Sequence, residues 1–267
     1  MAITNLDGAI NGMQAARYIA KAVTGTMVAG RAWSTWALAG SPGAGSFDTT
    51  LNGVALTAPI NGQIPFTDPS SGNAYLARLT GTASQAGLLV LADRLWHNGG
   101  YTITSTSAQN STTPTWPSRD IAGSTNGDGV LLAVEVSATT GAGTPTITIS
   151  YTNQSGTSGR TGTNIIATVA SSAAGSLYLI GLQAGDTGVR SVQSLTLSAT
   201  WTSGTINLIA YRPIATLELA GALIPNAGDA LTLGMPRMYN GSVPFFFFVP
   251  NTTTTSNITG SVVYTHG

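Results

Sequence analysis

The stretch TPTITISY, residues 144–151, decides the fold class because its side chains alternate strictly in polarity. Ile147, Ile149 and Tyr151 share one face of an extended chain, and hydroxyl side chains occupy most of the other. A period of two is typical of a β-strand with one buried face, whereas a helix repeats its apolar positions every three to four residues. The stretch therefore predicts a strand in an antiparallel sheet.

A second stretch, SVQSLTLSATW at residues 191–201, shows the same alternation with one change of phase. Val192 is out of phase with Leu195 and Leu197. An extra residue in one strand shifts the phase of all side chains beyond it, so we expect a β-bulge near Gln193-Ser194.

Turn signals divide residues 50–267 into many short runs of this kind. Asn-Gly or Asp-Gly steps, which suit tight hairpin turns, recur six times between Asn52-Gly53 and Asn240-Gly241. Many short strands joined by polar turns predict an all-β fold, an antiparallel β-sandwich for which a jelly roll is the favoured form. The runs predicted as strands are 75–80, 87–96, 101–106, 130–137, 145–152, 164–169, 176–182, 191–201, 205–219, 229–235, 243–249 and 258–265.

The first 49 residues have a different pattern and predict a short N-terminal helical arm. Residues 7–23 are a helix candidate, with Asp7 as its cap and apolar residues at helical spacing. The linker AGSPGAGS at 39–46 follows it. We therefore expect an arm at 1–49 and a β-sandwich domain at 50–267, and a division of the latter into two subdomains near 115–127 stays open.

Charge is scarce in this chain of 267 residues. Charged residues make up 7%, against about 25% in a typical soluble domain, and ten basic and ten acidic residues cancel. Hydroxyl and amide side chains must then keep the surface hydrated, and such a surface is cheap to bury against a partner. One lysine and nine scattered arginines argue against binding nucleic acid. The longest apolar runs have the length of strands, so no membrane contact is expected.

The residues that most often perform catalysis are also scarce. The chain has no cysteine and two histidines, of which His97 precedes a turn and His266 is next to the last residue. Glu135 and Glu218 lie inside apolar strands and are interpreted as strand-face carboxylates, with Glu135 facing solvent. The sequence thus predicts a protein that is not an enzyme, without catalytic residues, cofactor or metal site.

Three segments give the chain a family resemblance. AGDTGVRSVQSLTLSATWTSGTINLIAYRPIATLEL (184–219), NGGYTITSTSAQ (98–109) and NGDGVLLAVEVSATTGAGTPTITISYTNQSG (126–156) resemble minor structural proteins of tailed double-stranded DNA phages. The resemblance implies a virion protein: a capsid decoration or cement protein, a neck protein or a tail component. Assembly is expected in the host cytoplasm. The start does not resemble a Sec signal peptide, so the chain should stay in the cytoplasm or leave it by a route other than Sec.

Two groups of apolar residues are predicted to contact other chains. In PFFFFVP, alternation sends two phenylalanines to each face, so either both faces are covered within the fold or one pair meets another subunit. The second case predicts a homo-oligomer, with a trimer favoured by the phage resemblance, whose interface contains Phe245, Phe246, Phe247 and Phe248. Contacts with a shell, such as a major capsid protein, or with a neighbouring copy are predicted for Ile10, Met13, Arg17 and Val23.

A binding module is the alternative function. A tail-associated adhesin would recognise a host surface glycan through aromatic rings in loops, because such rings stack on sugars. Trp116, isolated in TPTWPS, is the candidate stacking residue.

Overall fold

The computed structural model describes residue 3 and residues 5–267. It is built almost entirely from antiparallel strands, which confirms the predicted all-β class, and its curled sheets are compatible with a sandwich of the jelly-roll type. The first elements are α1 (Leu6–Asn11), β1 (Arg17–Lys21), β2 (Ala32–Ser34), β3 (Gly40–Ser41), β4 (Val54–Ala55), β5 (Ala74–Ala83), β6 (Gly87–His97), β7 (Gln109–Asn110) and β8 (Leu131–Ala138). The remaining elements are β9 (Ile147–Asn153), β10 (Arg160–Asn164), β11 (Ser176–Gly181), β12 (Val189–Leu197), β13 (Thr205–Leu219), β14 (Asn226–Asp229), α2 (Ala230–Leu233), β15 (Arg237–Met238), β16 (Pro244–Pro250) and β17 (Ile258–His266).

The strands form two sheets. The smaller has six strands, in the order β14-β5-β17-β1-β3, with β15 also paired to β5. The larger has eleven strands, in the order β2-β16-β6-β13-β8-β11-β10-β9-β12-β7, with β4 paired to β6. Because β2 pairs with both β16 and β11, the strands β2, β16, β6, β13, β8 and β11 close into a ring.

Three hydrophobic cores follow from this arrangement. The ring encloses one core, which includes Val90, Ile209 and Phe245. The six-stranded sheet covers a second core against the outside of the ring. The third lies between the ring and β9 and β12, and it includes the buried face of TPTITISY. Strand β13 contributes side chains to all three cores.

The alternation seen in the sequence is reproduced in the strands. Ile147, Ile149 and Tyr151 are all fully buried on one face of β9. The pairing of β12 with β9 shifts register between Val192 and Ser194, which confirms the predicted bulge. Three predicted strands are wrong: 101–106 is a loop, 164–169 lies beyond β10 except for its first residue, and 229–235 contains the helix α2.

The predicted helix at 7–23 is mostly wrong. The helix α1 ends at Asn11, and its cap is Asn5, whose side chain accepts the N–H of Gly8. Residues 17–21 form β1 instead, because Ile19 is buried in the sheet core while Tyr18 points outward. The sheet gives Ile19 a partner surface that an isolated helix would lack, and tertiary packing of this kind overrides a helical pattern.

The predicted division of the chain has no counterpart in the contacts. Strands β1 and β3 belong to the six-stranded sheet and β2 belongs to the ring, so residues 17–41 are part of the sheets and not an arm set off from them. The side chain of Lys21 holds the expected linker in place by donating to the carbonyls of Leu38 and Pro42. Residues on both sides of 115–127 share one core, so no division between cores lies there.

Candidate functional site

The four consecutive phenylalanines lie inside the subunit, and their prediction as an oligomer interface is wrong. Strand β16 is hydrogen-bonded on both sides, to β6 and to β2. Phe246 and Phe248 face the core under the six-stranded sheet, and Phe245 and Phe247 face the core inside the ring. None of the four is more than 4% exposed. The sequence alone allowed either burial within the subunit or contact with another subunit. The strands that bury β16, β6 and β2, are distant from it along the chain.

Trp116 is also unavailable to a ligand, so its prediction as a sugar-stacking residue is wrong. It is 2% exposed and packs on Trp96, with 6.2 Å between the ring centroids. The other four tryptophans are at most 1% exposed. The indole of Trp116 is buried in the core between the ring of strands and strands β9 and β12, because burial of a large aromatic side chain contributes strongly to stability.

The four residues near the N-terminus that were predicted to contact a shell or a neighbouring copy lie in different environments. Ile10 and Met13 are 51% and 43% exposed and lie together in one groove. Val23 is 63% exposed but does not line this groove, and Arg17 lies beside the buried Val262 on the inner face of its sheet. Only the first two are brought together.

The groove lies between α1 and α2 over the end of the six-stranded sheet. Its volume is about 310 Å³. Leu6, Ile10 and Met13 line one side, Ala230 and Leu231 line the other, and Val263 is part of the floor. Leu231 is 81% exposed, which is unusual for a leucine beside other exposed apolar residues. The sequence pattern missed Leu231 because its segment reads as a strand.

The outer face of the six-stranded sheet continues from this groove and is uncovered in the subunit. Register places three rows of side chains on it. One row is Asp229, Arg78 and Val263; the next is Ala227, Thr80, Ser261 and Tyr18; the third is Thr82, Thr259, Ala20 and Ser41. All are exposed or half-buried, and most are small or carry a hydroxyl.

Many of the charged side chains are buried. Of the twenty in the chain, eight are buried, six are half-buried and six are exposed, namely Asp7, Asp68, Arg78, Arg190, Glu218 and Asp229. A charged residue is normally buried only when it is paired. The distribution leaves a surface on which charge is rare.

The first buried charge pair lies in the ring, where Arg94 donates to Glu135 at 2.7 Å. The guanidinium of Arg94 also lies 4.5 Å from the centroid of Trp36, in a cation–π contact. Glu135 was expected to face solvent and is 1% exposed. Its partner lies 41 residues earlier in the chain, so no local pattern revealed the pair.

The second buried charge cluster is centred on Asp93, whose carboxylate accepts from Arg119 Nε at 2.9 Å, from Ser242 Oγ at 3.1 Å and from the N–H of Val243 at 2.8 Å. A second guanidinium, that of Arg212, lies 3.9 Å away. Arg119 also donates to the carbonyls of Leu56 and Gly241, which ties three loops to one carboxylate. The cluster is closely surrounded by its own chain and holds loops in place.

His97 is buried between the rings of Trp36 and Phe47, with centroid distances of 6.1 and 6.4 Å. Burial, together with the positive charge of Arg94, lowers the pKa of His97 to about 3. The imidazole is therefore neutral at physiological pH. Within residues 3 and 5–267, no group of three or more His, Asp or Glu side chains could hold a metal ion, and no helix is long and apolar enough to cross a membrane.

The sequence matches no known protein family and no curated protein. Among solved structures, the chain is similar to the VP2 subviral particle of infectious bursal disease virus, with 9% identity and a TM-score of 0.19 over 96% of this chain and 82% of that chain. The Gx and Gt strain structures of the same virus each match with 11% identity over 76% of this chain, with TM-scores of 0.15 and 0.16. The matches cover 45% and 47% of those two chains. Likeness at this level carries no argument about function.

Proposed function

We propose that this chain is a structural protein of a virus particle, specifically a capsid decoration or cement protein that binds the shell as a symmetric homo-oligomer. The observation that carries the proposal is the surface, on which only six of the twenty charged side chains are exposed, while eight are buried. A protein that works alone in solution usually stays soluble by exposing charge. A protein that spends its working life packed against neighbours benefits from a surface that loses little hydration energy on contact.

The free-energy cost of burying polar groups at a contact supports a role in an assembly. Burial of an ionised group without a partner is far more expensive than burial of a hydroxyl that finds a hydrogen bond. The cores of protein interfaces are accordingly depleted in charged residues. The outer face of the six-stranded sheet has eleven outward positions in three rows, and only Arg78 and Asp229 among them are charged.

The sheet edges favour closed association over open-ended growth. Two backbone N–H groups of the edge strand β14 are bonded by side chains: that of Ala227 by Asn226 Oδ1 and that of Asp229 by Thr232 Oγ1. The opposite edge strand, β3, has two residues. Short or blocked edges discourage the addition of strands from other chains. Copies would then meet through side-chain surfaces, as in symmetric oligomers.

The finer parts of the proposal rest on the phage resemblance of residues 98–109, 126–156 and 184–219. They are a trimeric state, a major capsid protein as the shell partner and assembly in the host cytoplasm. A role without catalysis, nucleic acid or membrane is proposed from the composition: catalytic residue types and lysine are scarce, and the apolar runs are short. The glycan-binding alternative has lost its candidate residue, because Trp116 is buried.

The test is the copy number of the chain in intact particles. Quantitative mass spectrometry of purified particles should give a fixed ratio of this chain to the major shell protein. Cryo-electron microscopy of the same particles should place the copies on symmetry-related positions of the shell. Absence of the chain from purified particles that are otherwise complete would overturn the proposal.

A further inference from the structure

We infer that the groove between α1 and α2, together with the adjoining outer face of the six-stranded sheet, is the surface on which a second copy of this chain docks. The inference rests on the proposed oligomer and specifies where its copies meet. This exposed surface takes the place of β16, whose phenylalanines are buried, as the predicted interface between copies.

The first argument is the position of exposed apolar side chains. Twelve large hydrophobic residues are exposed among the described residues. Five of them lie on the groove or on the outer sheet face: Leu6, Ile10, Met13, Tyr18 and Leu231. Single exposed hydrophobic residues are ordinary, but a contiguous group of them marks an interaction site.

The second argument is the shape of the adjoining sheet face. The two rows beyond the groove consist of Ala, Ser and Thr side chains with one tyrosine, Tyr18. Small side chains allow another surface to approach closely. Thr80 and Ser261 already bond to each other at 2.8 Å, so these hydroxyls are paired before any contact forms. One of the two hydroxyl donors is therefore satisfied before contact, and the other can bond to an acceptor of the partner.

The third argument is charge complementarity, and it selects a second copy as the occupant. Arg78 is exposed beside the groove and has no ion-pair partner among the described residues. Asp229 lies opposite Arg78 in the register, and the bonds that cap α2 use only its Oδ1 atom. One patch thus carries one cation and one anion with an unused oxygen. Copies related by a symmetry axis can place the Arg78 of one against the Asp229 of the other.

The alternative of strand addition is disfavoured by the same region. The free edge of β14, next to the groove, has the N–H groups of Ala227 and Asp229 already bonded by side chains. An extended peptide would find few donors there. A second copy would therefore dock through the apolar groove and the sheet face, and not by adding a strand.

The experiment uses the full chain and exposed positions, so that folding is kept. Leu231→Asp places a charge in the groove, and the matched control Ile165→Asp places one at a site that is 66% exposed and directly follows β10 of the other sheet. Association is measured by analytical ultracentrifugation, and native mass spectrometry counts the copies. We expect Leu231→Asp to raise the dissociation constant at least about tenfold, and Ile165→Asp to leave it unchanged.

Two further variants test the charges. Arg78→Glu should weaken association, because it brings like charges together. Asp229→Asn should also weaken it and reduce its dependence on salt, while asparagine preserves the cap of α2. Circular dichroism of each variant checks that the fold is intact.

The outcomes separate the two proposals. Wild-type association that survives Leu231→Asp and Arg78→Glu unchanged would overturn this surface and leave the particle role standing, since copies would then meet elsewhere. A wild-type chain that stays monomeric at micromolar concentration would overturn both this surface and the oligomer. The particle copy number would then decide the structural role by itself.

Discussion

The ring of strands and the outer face of the six-stranded sheet distribute polarity in opposite ways. Inside and against the ring, Asp93, Arg94 and Glu135 are at most 1% exposed and are ion-paired. On the sheet face and its groove, leucine, isoleucine and methionine side chains are exposed and charges are few. In an ordinary globular protein, charged side chains are almost never fully buried unless they are paired, and large apolar side chains are mostly buried.

The two regions use polar groups in different ways. Charges in the interior fix particular loops in particular places, as Arg119 does for three of them. Buried pairs are weak evidence for stability, and their best-supported use is to specify one arrangement over others. On the outer face of the six-stranded sheet, only Arg78 and Asp229 are charged.

The largest effect is expected for Asp93→Ala. Removal of this carboxylate leaves the guanidiniums of Arg119 and Arg212 buried without an anion, and it leaves the N–H of Val243 without an acceptor. We expect a loss of unfolding free energy on the order of 5 kcal/mol, measured by denaturant titration. The exposed Asp7→Ala is the control and should change stability by less than about 0.5 kcal/mol. Equal effects of the two variants would show that the Asp93 cluster is not structurally important.

Phe246→Ala and Phe247→Ala test the burial of β16 on both faces. Each removes a side chain from a different core, and each should cost about 3–4 kcal/mol of unfolding free energy. The two losses of unfolding free energy should be similar. We do not expect either variant to keep its stability and show only weakened association. A variant that keeps its stability but loses its partners would restore the phenylalanine strand as an interface.

Acid should destabilise the ring region through His97. Its pKa is lowered to about 3 in the folded chain, while the imidazole of the unfolded chain titrates near its usual value of 6.5. Between these values the unfolded state binds the extra proton, so stability falls as the pH falls from 6.5 towards 3. The expected loss from this group is about 3 kcal/mol at pH 4. The unfolding free energy is measured by denaturant titration at pH 7, 5 and 4. It should fall less steeply with decreasing pH for His97→Gln than for the wild type. An equal fall in both would contradict the assignment of this effect to His97.

The smallest effect on folding is expected on the sheet face. Tyr18→Thr changes a side chain that is 64% exposed and keeps a residue suited to a strand. The unfolding free energy of the isolated chain should change by less than about 0.5 kcal/mol. Association should weaken in the same variant. A large loss of stability in the monomer would mean that the face is structural and not a contact surface.

The sequence predicted the features that depend on neighbours in the chain. Alternation in 144–151 gave the buried face of β9, and one change of phase gave the bulge between Val192 and Ser194. It failed where distant residues decide. The helix predicted at 7–23 was overridden from Arg17 onward, because β17 offers β1 a sheet to join.

The candidate contact surface was predicted in part. Ile10 and Met13 were chosen for an apolar stripe that needed cover, and both lie in the groove. Leu231, more than 200 residues further on, is brought beside them by the pairing of β14 with β5. Glu135 was assigned to solvent because alternation in β8 cannot show that Arg94 lies across the ring.

The closure of the ring by β2 has a consequence for the time at which the chain can fold. Thr35, directly after β2, donates its hydroxyl to the carbonyl of Phe246, 211 residues later. At 5–20 residues per second, a ribosome needs about 10–40 s to make the intervening chain. Until then β2 can pair only with β11, and β1 only with β3, because β16 and β17 have not been made. Closure is therefore a late event, and such long-range pairing is slow. A newly made chain would pass through a period in which the edge of β2 that later pairs with β16 is open to chaperones or other copies.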